Sequence, residues 1–429
     1  MEKLLIKNIM VADPEKDETY VSDILCENGK IARIAEFIDE KEADNTIDGK
    51  GLYAAPGFVD IHVHFRDPGF THKEDIYTGA KAAAKGGFTT VVLMANTKPA
   101  VDSVETLDYV MKKGSETAIN IYSAATVTKG MRGEELTDMN SLYQSGAVGF
   151  TDDGKPILDD TIVREAMLKV KELNVPISFH EENPQFISNN GINEGEASSY
   201  LGIKGSPRDA EIDLIKRDLE IALETGATIN IQHISSKEGV MLVRMAKKRA
   251  NGDIIHAEAT PHHFSLTEEA VKKYGSNAKM NPPLRTEEDR QAIIEGLSDG
   301  TIDLIATDHA PHSIEEKSAP ITEAPSGIIG LETALSLGIT NLVSTGRLTL
   351  IQMIRKMTIN PAKLYNLSCG RLCEGAVADI CIFSMDEECL YDSFASKSSN
   401  TPFKGTSLKG KVKYTVCGGN IIYHDAGEK

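Results

Sequence analysis

The alternation of short apolar runs with amphipathic helical stretches, repeated through the middle of the chain, limits the possible fold more than any other feature. Such alternation is typical of a parallel sheet with crossover helices. Eight runs with helices between them favour a closed (β/α)8 barrel of the TIM type over an open doubly wound sheet. The predicted strands are residues 57–65, 89–94, 118–124, 147–151, 176–180, 228–233, 254–260 and 303–306. The predicted helices include residues 165–173, 209–224, 239–249 and 287–296.

The two ends of the chain follow a different pattern from the middle. Residues 1–54 contain short strand-like runs, and Asn28 and Gly29 give a hairpin-turn signal between two of them. The last part is similar, with strand-like runs near its end. A lone short hairpin is only marginally stable, so we expect the two ends to pair into one small β-sandwich. The predicted domains are the N-terminal part of the sandwich at 1–54, the barrel at 55–365 and the C-terminal part of the sandwich at 366–429.

Composition excludes several classes of protein. The formal net charge of −18 would repel a phosphate backbone, so nucleic acid is not an expected partner. No apolar stretch approaches the roughly 20 residues of a membrane span, and the N-terminus lacks the apolar core of a signal peptide. We therefore expect a cytoplasmic location without membrane association. There the six cysteines would serve as small apolar side chains rather than disulfides. No glycine-rich nucleotide-binding loop follows any predicted strand.

Histidines and carboxylates gather at the C-terminal tips of the predicted strands, which is where barrel enzymes place their chemistry. His62 and His64 share one face of the first strand, about 6.5 Å apart, because side chains alternate along a strand. The other members of this set lie at four further tips: Asp152, Asp153, His180, His233 and Asp308.

This set of side chains suits a pair of metal ions. Neutral imidazole and carboxylate are the ligands that zinc accepts where no thiolate is available. Four histidines with two aspartates, Asp308 and one of the adjacent Asp152 and Asp153, exceed what one tetrahedral ion uses, whereas two ions about 3.5–4 Å apart that share a carboxylate would use them all. A single strand-end histidine is more often a hydrogen-bonded core residue. Six ligand-type residues at predicted strand ends reverse that preference and favour a metal site.

Several other polar residues leave alternatives open. His309 points away from the metal-facing side of its strand, so we interpret it as a supporting or structural residue. His262 and His263 follow the seventh strand, where lining the pocket and packing are equally consistent. Glu181 and Glu182 could orient a ligand imidazole or be solvated loop charges, and we favour the second interpretation. The pattern assigns no role to two further histidines, His72 and His256.

Four motifs resemble those of a known group of enzymes. Residues 56–64, PGFVDIHVH, are similar to the opening signature of the amidohydrolase superfamily. Residues 64–69, HFRDPG, narrow the resemblance to dihydroorotases and their cyclic-amidase relatives. Residues 307–312, TDHAPH, and 327–333, GIIGLET, narrow it in the same way. The resemblance extends over essentially the whole chain, including the split β unit at its ends.

The resemblance implies a binuclear zinc centre, with two ions per subunit. In hydantoinases and allantoinases a carboxylated lysine on the fourth strand bridges the ions, but residues 146–151 contain no lysine. The strand leads instead into Asp152 and Asp153, which is similar to bacterial class I dihydroorotases, where an aspartate bridges. We choose Asp153 over Asp152, although Lys155 is also close in sequence. The resemblance implies that one ion is held by His62, His64 and Asp308 and the other by His180 and His233.

The resemblance also implies residues that bind substrate. Arg66 would clamp a substrate carboxylate with its planar two-donor fork. Asn96 and His312 resemble further carboxylate contacts of the family, and Asn281 resembles a contact to the ring amide. Without the resemblance, Asn96 would be interpreted as a loop cap and Asn281 as part of a turn before two prolines.

The implied reaction is the reversible hydrolysis of the cyclic amide of L-dihydroorotate to N-carbamoyl-L-aspartate, which pyrimidine synthesis runs in reverse. Asp308 would act first as general base and then as general acid. Because dihydroorotate carries a carboxylate, Arg66 favours it over uncharged hydantoins. One alternative is an allantoinase or hydantoinase. The other is a non-catalytic dihydroorotase-like assembly partner of aspartate transcarbamoylase. We expect a homodimer, which could associate with that enzyme.

Overall fold

The computed structural model describes residues 3–425. The strands are β1 Leu4–Asp13, β2 Glu18–Glu27, β3 Lys30–Ala35, β4 Asn45–Asp48, β5 Tyr53–Pro56, β6 Phe58–Val63, β7 Phe88–Leu93, β8 Asn120–Ser123, β9 Ile177–Phe179, β10 Ile229–Ile231, β11 Ile255–Ala259, β12 Leu304–Ile305, β13 Ile380–Leu390, β14 Ser407–Cys417 and β15 Asn420–His424. The α-helices are α1 Ile76–Lys85, α2 Val104–Gly114, α3 Met139–Gln144, α4 Asp160–Leu173, α5 Glu196–Leu201, α6 Asp209–Thr225, α7 Lys237–Arg249, α8 Pro261–Ser265, α9 Glu269–Tyr274, α10 Glu287–Asp299, α11 Ile314–Lys317, α12 Ala334–Gly338, α13 Leu350–Lys356 and α14 Ile359–Leu364. Within residues 3–425 no helix is long and apolar enough to cross a membrane.

The long barrel helices begin where the sequence offers a side-chain cap. Ser236 accepts a hydrogen bond from the Gly239 amide at the start of α7, and Thr286 forms a capping box with Asp289 at the start of α10. The four helices predicted from the sequence are confirmed as α4, α6, α7 and α10. Helix α4 begins earlier than predicted because Asp159 caps it.

The two ends of the chain share one hydrogen-bonded sheet. Its strand order is β15-β14-β13-β5-β1-β2-β3, with β4 paired to β1, and the ends meet where β5 runs antiparallel to β13. Asn28 and Gly29 have φ of 53° and 77°, the left-handed pair that a tight hairpin turn requires. The sheet has an apolar core of its own, which includes Ile6, Ile24 and Ile380. The predicted pairing of the two ends is confirmed, and the boundaries 1–54, 55–365 and 366–429 remain a proposal.

The barrel is built from two groups of parallel strands, β6-β7-β8 and β9-β10-β11-β12. Phe150 joins the groups on one side, because it bridges both Ala125 and Ile177, and Val63 bridges His309 on the other side. The predicted fourth strand, 147–151, is therefore reduced to bridges at one residue. A turn with left-handed Gly146 precedes it and another turn follows it, which leaves little length for a ladder.

Candidate metal centre

The structure brings the six predicted metal ligands together at the carboxyl ends of the barrel strands, and all six side chains are buried. Parallel strands in a barrel all end at the same rim, so residues far apart in sequence meet there. The ligands are His62 and His64 at the end of β6, Asp153 after the Phe150 bridge, His180 after β9, His233 after β10 and Asp308 after β12.

Two overlapping groups of these side chains have the geometry of a binuclear metal centre. His62, His64 and Asp153 form one group, and Asp153, His180 and His233 form the other. In each group the ligand atoms lie within 4.8 Å of one another. Asp153 belongs to both, with Oδ1 at 3.6 Å from His62 Nε2 and 3.7 Å from His180 Nδ1. A carboxylate in this position can be shared by two ions.

His62 and His64 each bond an acceptor through Nδ1, so that Nε2 of each ring faces the ligand carboxylates. His64 Nδ1 lies 2.9 Å from Asn96 Oδ1, and this contact places the ring proton on Nδ1. His64 Nε2 then presents a lone pair to Asp308 Oδ1 at 3.0 Å. His62 donates through Nδ1 to Glu258 at 3.0 Å, and its buried Nε2 has no hydrogen-bond partner among the described residues. Imidazole lone pairs that converge on carboxylates fit a divalent cation of the zinc type.

Charges within the cluster shift the pKa values of its members in different directions. Burial lowers the pKa of His62, but Glu258 and Asp153 outweigh burial and raise it well above its ordinary value. Burial raises the pKa of Asp153, but the surrounding histidines, His62 first, hold it well below its ordinary value. Burial and the charge of His180 lower the pKa of His233 well below the usual range. Asp153 as an anion and His233 as a neutral ring are the forms that ligate a metal.

Glu258 is a supporting residue that sequence reasoning missed. It lies in β11, is fully buried, and accepts hydrogen bonds from His62 Nδ1 and from Asn230 Nδ2 at 2.5 Å. A carboxylate on the outer nitrogen of a ligand imidazole fixes its tautomer and orientation. The sequence held one signal for it, an acidic residue between two alanines in a predicted strand.

Asp152 and Asp153 have different partners, although they are adjacent. Asp152 accepts hydrogen bonds from the Val127 amide at 2.8 Å and from the amide and hydroxyl of Thr128. Its carboxylate therefore holds the loop after β8. Asp153 faces the histidines, and this supports Asp153 as the bridging residue.

Arg66 and His312 lie side by side next to the cluster, and we call this pair the carboxylate clamp after the role predicted for it from the sequence. Arg66 Nη2 is 3.4 Å from His312 Nε2, and Arg66 Nε donates to Pro311 O at 3.3 Å. Burial lowers the pKa of Arg66, while Asp308 and Asp153 are near enough to oppose that shift. Burial, Arg66 and Lys73 lower the pKa of His312 far below its ordinary value, so the ring is neutral. Lys73, which sequence reasoning missed, places a second cation 3.4 Å from His312 Nδ1.

The two predicted asparagine contacts lie at opposite sides of the cluster. Asn96 Oδ1 accepts from His64, and its Nδ2 donates to Asp153 Oδ2 at 3.0 Å. Asn281 Nδ2 is 3.1 Å from His180 Nε2, and its buried Oδ1 has no partner among the described residues. An unpartnered amide oxygen in this place could accept a hydrogen bond from a ligand.

Three other residues around the centre are now defined. Glu181 and Glu182 are each 3% exposed, so interpreting them as solvated loop charges is wrong. Glu182 accepts from Ser206 Oγ at 2.9 Å, and its other carboxylate oxygen lies 3.4 Å from His180 Nε2 without a hydrogen bond among the described residues. His309 is structural, because its Nδ1 accepts from the Gly330 amide at 3.1 Å.

Comparisons with known proteins point to one family. Residues 51–239 match the family model described as dihydro-orotase-like. The chain is 55% identical over 421 residues to a dihydroorotase from Clostridioides difficile, covering 98% of this chain and 100% of that protein. It is 52% identical over 424 residues to a dihydroorotase from Clostridium acetobutylicum, with the same coverage of 98% and 100%.

Solved structures show the same architecture. An L-hydantoinase (dihydropyrimidinase) from Arthrobacter aurescens matches with a TM-score of 0.90 and 26% identity, covering 100% of this chain and 97% of that one. A D-hydantoinase (dihydropyrimidinase) from a Thermus species matches with a TM-score of 0.84 and 25% identity, covering 99% and 97%. The predicted fold class, a TIM-type barrel with a β-sandwich formed by both ends of the chain, is confirmed.

Proposed function

The chain belongs to the dihydroorotase family of cyclic amide hydrolases, and from this premise we propose that it hydrolyses L-dihydroorotate reversibly to N-carbamoyl-L-aspartate in pyrimidine synthesis. The observation that supports this substrate most is the clamp of Arg66 and His312 beside a complete set of metal-ligand side chains. Arg66 is a cation beside the ligand carboxylates that can attract a substrate carboxylate, whereas Lys73 is already paired with Glu316 at 2.8 Å.

We propose that the centre holds two zinc ions per subunit. His62, His64 and Asp308 would hold one ion, His180 and His233 the other, and Asp153 would belong to both. When bound, the ions would polarise the ring carbonyl and make a nucleophile available near neutral pH.

The residues of the chain itself would bind and orient the ring. Arg66 would form paired hydrogen bonds with the substrate carboxylate, because its two N–H groups lie in one plane. His312 and Asn96 are proposed as the other carboxylate contacts. Asn281 Oδ1, buried without a partner among the described residues, suits a hydrogen bond from a ring N–H. Together these contacts would fix the position of the scissile amide.

Asp308 is proposed as the group that moves the proton. Its side chain is 12% exposed, whereas that of Asp153 is 5% exposed, so Asp308 is the more accessible of the two carboxylates. It would accept a proton from the attacking water and return it to the leaving ring nitrogen, as general base and then general acid.

The second candidate function, hydantoin hydrolysis, rests on the solved hydantoinase structures that share this fold. Two features oppose it. The segment 146–151 has no lysine that could become carboxylated, and an uncharged ring would offer Arg66 no carboxylate to bind. The third candidate function, that of a non-catalytic assembly partner, is opposed by the presence of both groups of metal-ligand side chains.

Assembly and location are further proposals. We propose a homodimer that could associate with aspartate transcarbamoylase, which sedimentation of the protein alone and mixed with that enzyme would test. We also propose a cytoplasmic location, because all six cysteines are free, as thiols are in a reducing compartment.

The deciding experiment is turnover of L-dihydroorotate, hydantoin and allantoin by the zinc-loaded protein, with His62→Ala as the control. We expect turnover of dihydroorotate alone, abolished in the variant. Turnover of hydantoin but not of dihydroorotate would establish the second candidate. A protein that binds no metal and hydrolyses none of the three rings would support the non-catalytic assembly role instead.

A further inference from the structure

The segment between β13 and β14, residues 391–406, belongs by sequence to the terminal β unit but lies against the barrel. We call it the crossover segment. Its polar side chains Ser396, Ser398, Asn400 and Thr401 are buried, with 3–7% of each exposed. Buried polar side chains are retained where they have hydrogen-bond partners, and for Ser396, Ser398 and Asn400 the partners are the loops that carry the clamp.

One half of the crossover segment bonds to the loop between β6 and α1, which contains Arg66. Ser398 Oγ donates to Lys73 O at 2.7 Å. The Lys397 amide donates to Glu74 Oε1 at 3.1 Å, and the Ser396 hydroxyl donates to the other oxygen of that carboxylate. The crossover segment therefore holds the C-terminal part of the Arg66 loop.

The other half bonds to the loop that carries His312. Asn400 Nδ2 donates to Ala310 O and to Gly327 O, each at 3.1 Å, and Asn400 Oδ1 accepts from the His312 amide at 3.0 Å. Both N–H groups and the oxygen of one amide are thus used. Gly327 has φ of 133°, and a Cβ there would lie 3.2 Å from His312 Cδ2, so this loop packs closely against the ring.

We propose that Asn400 is a positioning residue for the carboxylate clamp, which makes the crossover segment a determinant of substrate binding. The proposal rests on the proposed function, because it assumes that the clamp binds the carboxylate of dihydroorotate. Asn400 does not touch the substrate. It fixes the backbone at His312 relative to Ala310 and Gly327, while its neighbours in the segment fix the Arg66 loop. The metal ligands have their own supports, so loss of Asn400 affects binding more than chemistry.

The test compares zinc-loaded full-length protein with Asn400→Ala, using L-dihydroorotate as substrate. We expect KM to rise about tenfold, the effect of losing a buried hydrogen bond, with kcat within about twofold. Ser399→Ala is the matched control, since the Ser399 hydroxyl makes no hydrogen bond among the described residues, and its KM stays unchanged. Metal content and Tm are measured for each protein.

A double-mutant cycle with His312→Ala separates positioning from general destabilisation. If Asn400 acts through His312, Asn400→Ala adds less than about twofold to the KM of the His312→Ala protein. A full tenfold increase in that background would overturn the proposal. Should Asn400→Ala fail to fold, Ser398→Ala decides instead. A KM rise of about threefold supports the proposal, and an unchanged KM overturns it.

Different results would overturn the proposed function and the role of Asn400. A wild-type protein that binds zinc but does not turn over dihydroorotate would overturn the proposed function. An active wild type whose KM is the same in Asn400→Ala would overturn only the role of Asn400.

Discussion

The two ends of the barrel bury the same kinds of side chain but leave them in different states. At the carboxyl ends of the strands, His62 Nε2 and Asn281 Oδ1 are buried without partners among the described residues. At the opposite end, a cavity of about 420 Å³ contains His256, whose two ring nitrogens are both bonded. One contacts Asp303 Oδ2 at 2.6 Å, and the other contacts Asp253 O at 3.2 Å.

This difference separates a binding site from a structural cluster. A buried polar atom without a hydrogen-bond partner destabilises the folded protein, so such an atom is retained mainly where a ligand supplies the missing partner. Among β9 to β12, the carboxyl end of β10 meets this condition at His233 Nδ1, as His62 Nε2 does at the end of β6. The starts of the same strands do not, because the His256 cluster is complete in itself. We therefore expect substitutions at the carboxyl ends of the strands to change activity and those at the His256 end of the barrel to change stability.

The largest effect is expected for Asp153→Asn. An amide cannot supply the shared negative charge, so we expect bound zinc to fall from about two ions per chain and kcat for dihydroorotate to fall by roughly a thousandfold or more. Elemental analysis and steady-state kinetics measure both quantities.

Asp152→Asn is the matched control for that substitution. In this variant Asp153 is intact, so we expect the zinc content to stay the same. The hydrogen bonds from Val127 and Thr128 weaken, so we expect Tm to fall. Reversed results, with zinc lost only in Asp152→Asn, would move the bridging role to Asp152.

Arg66→Lys is expected to have the next largest effect. Lysine keeps the charge but not the planar fork, so we expect KM for dihydroorotate to rise by about 30-fold, with little change in zinc content. Uncharged hydantoin provides the internal comparison, because any weak turnover of it should not depend on the fork. Equal losses for both rings would mean that Arg66 supports the site as a whole rather than binding a carboxylate.

The metal ligands can be predicted from sequence and their supports cannot, for a physical reason. His62 and His180 each end an apolar run, and a barrel brings every strand end to one rim. Glu258 contacts His62 only because barrel closure brings β11 close to β6, with β12 between them. Asn400 contacts His312 although the two are 88 positions apart in the chain. The acidic residue in a predicted strand draws attention to Glu258, but no local pattern identifies His62 or His312 as a partner. The short fourth strand was overestimated for a similar reason, since strand length depends on the turns around it.

Glu258→Gln tests whether such a support matters to the metal. A neutral amide weakens the hold on His62 Nδ1, so we expect zinc affinity or kcat to fall about 10- to 100-fold. Competition with a chelator measures the affinity. Glu268→Gln is the control, because Glu268 is also buried but bonds Asn193 and the Ala197 amide, away from the cluster. Equal losses of zinc in both variants would contradict a specific role for Glu258.

The smallest effect on activity is expected at the other end of the barrel, for Asp303→Asn. Burial raises the pKa of Asp303, but His256 and Lys247 outweigh burial and lower it from 3.8 to about 2. A pKa that is depressed in the folded state contributes stability above the unfolded value, and that contribution is lost as pH falls from about 4 to about 2. We expect the variant to lose about 2 kcal/mol of unfolding free energy at pH 7, with kcat unchanged.

Urea unfolding of both proteins between pH 7 and pH 3 measures that difference. Metal loss in acid affects both proteins, so the difference between them isolates the carboxylate of Asp303. We expect the difference to shrink as pH falls below about 4, because protonation removes the charge from the wild-type side chain as the substitution does. A difference that stays constant down to pH 3 would mean that shape rather than charge holds this cluster. A loss of kcat in Asp303→Asn would mean that the two ends of the barrel are not independent.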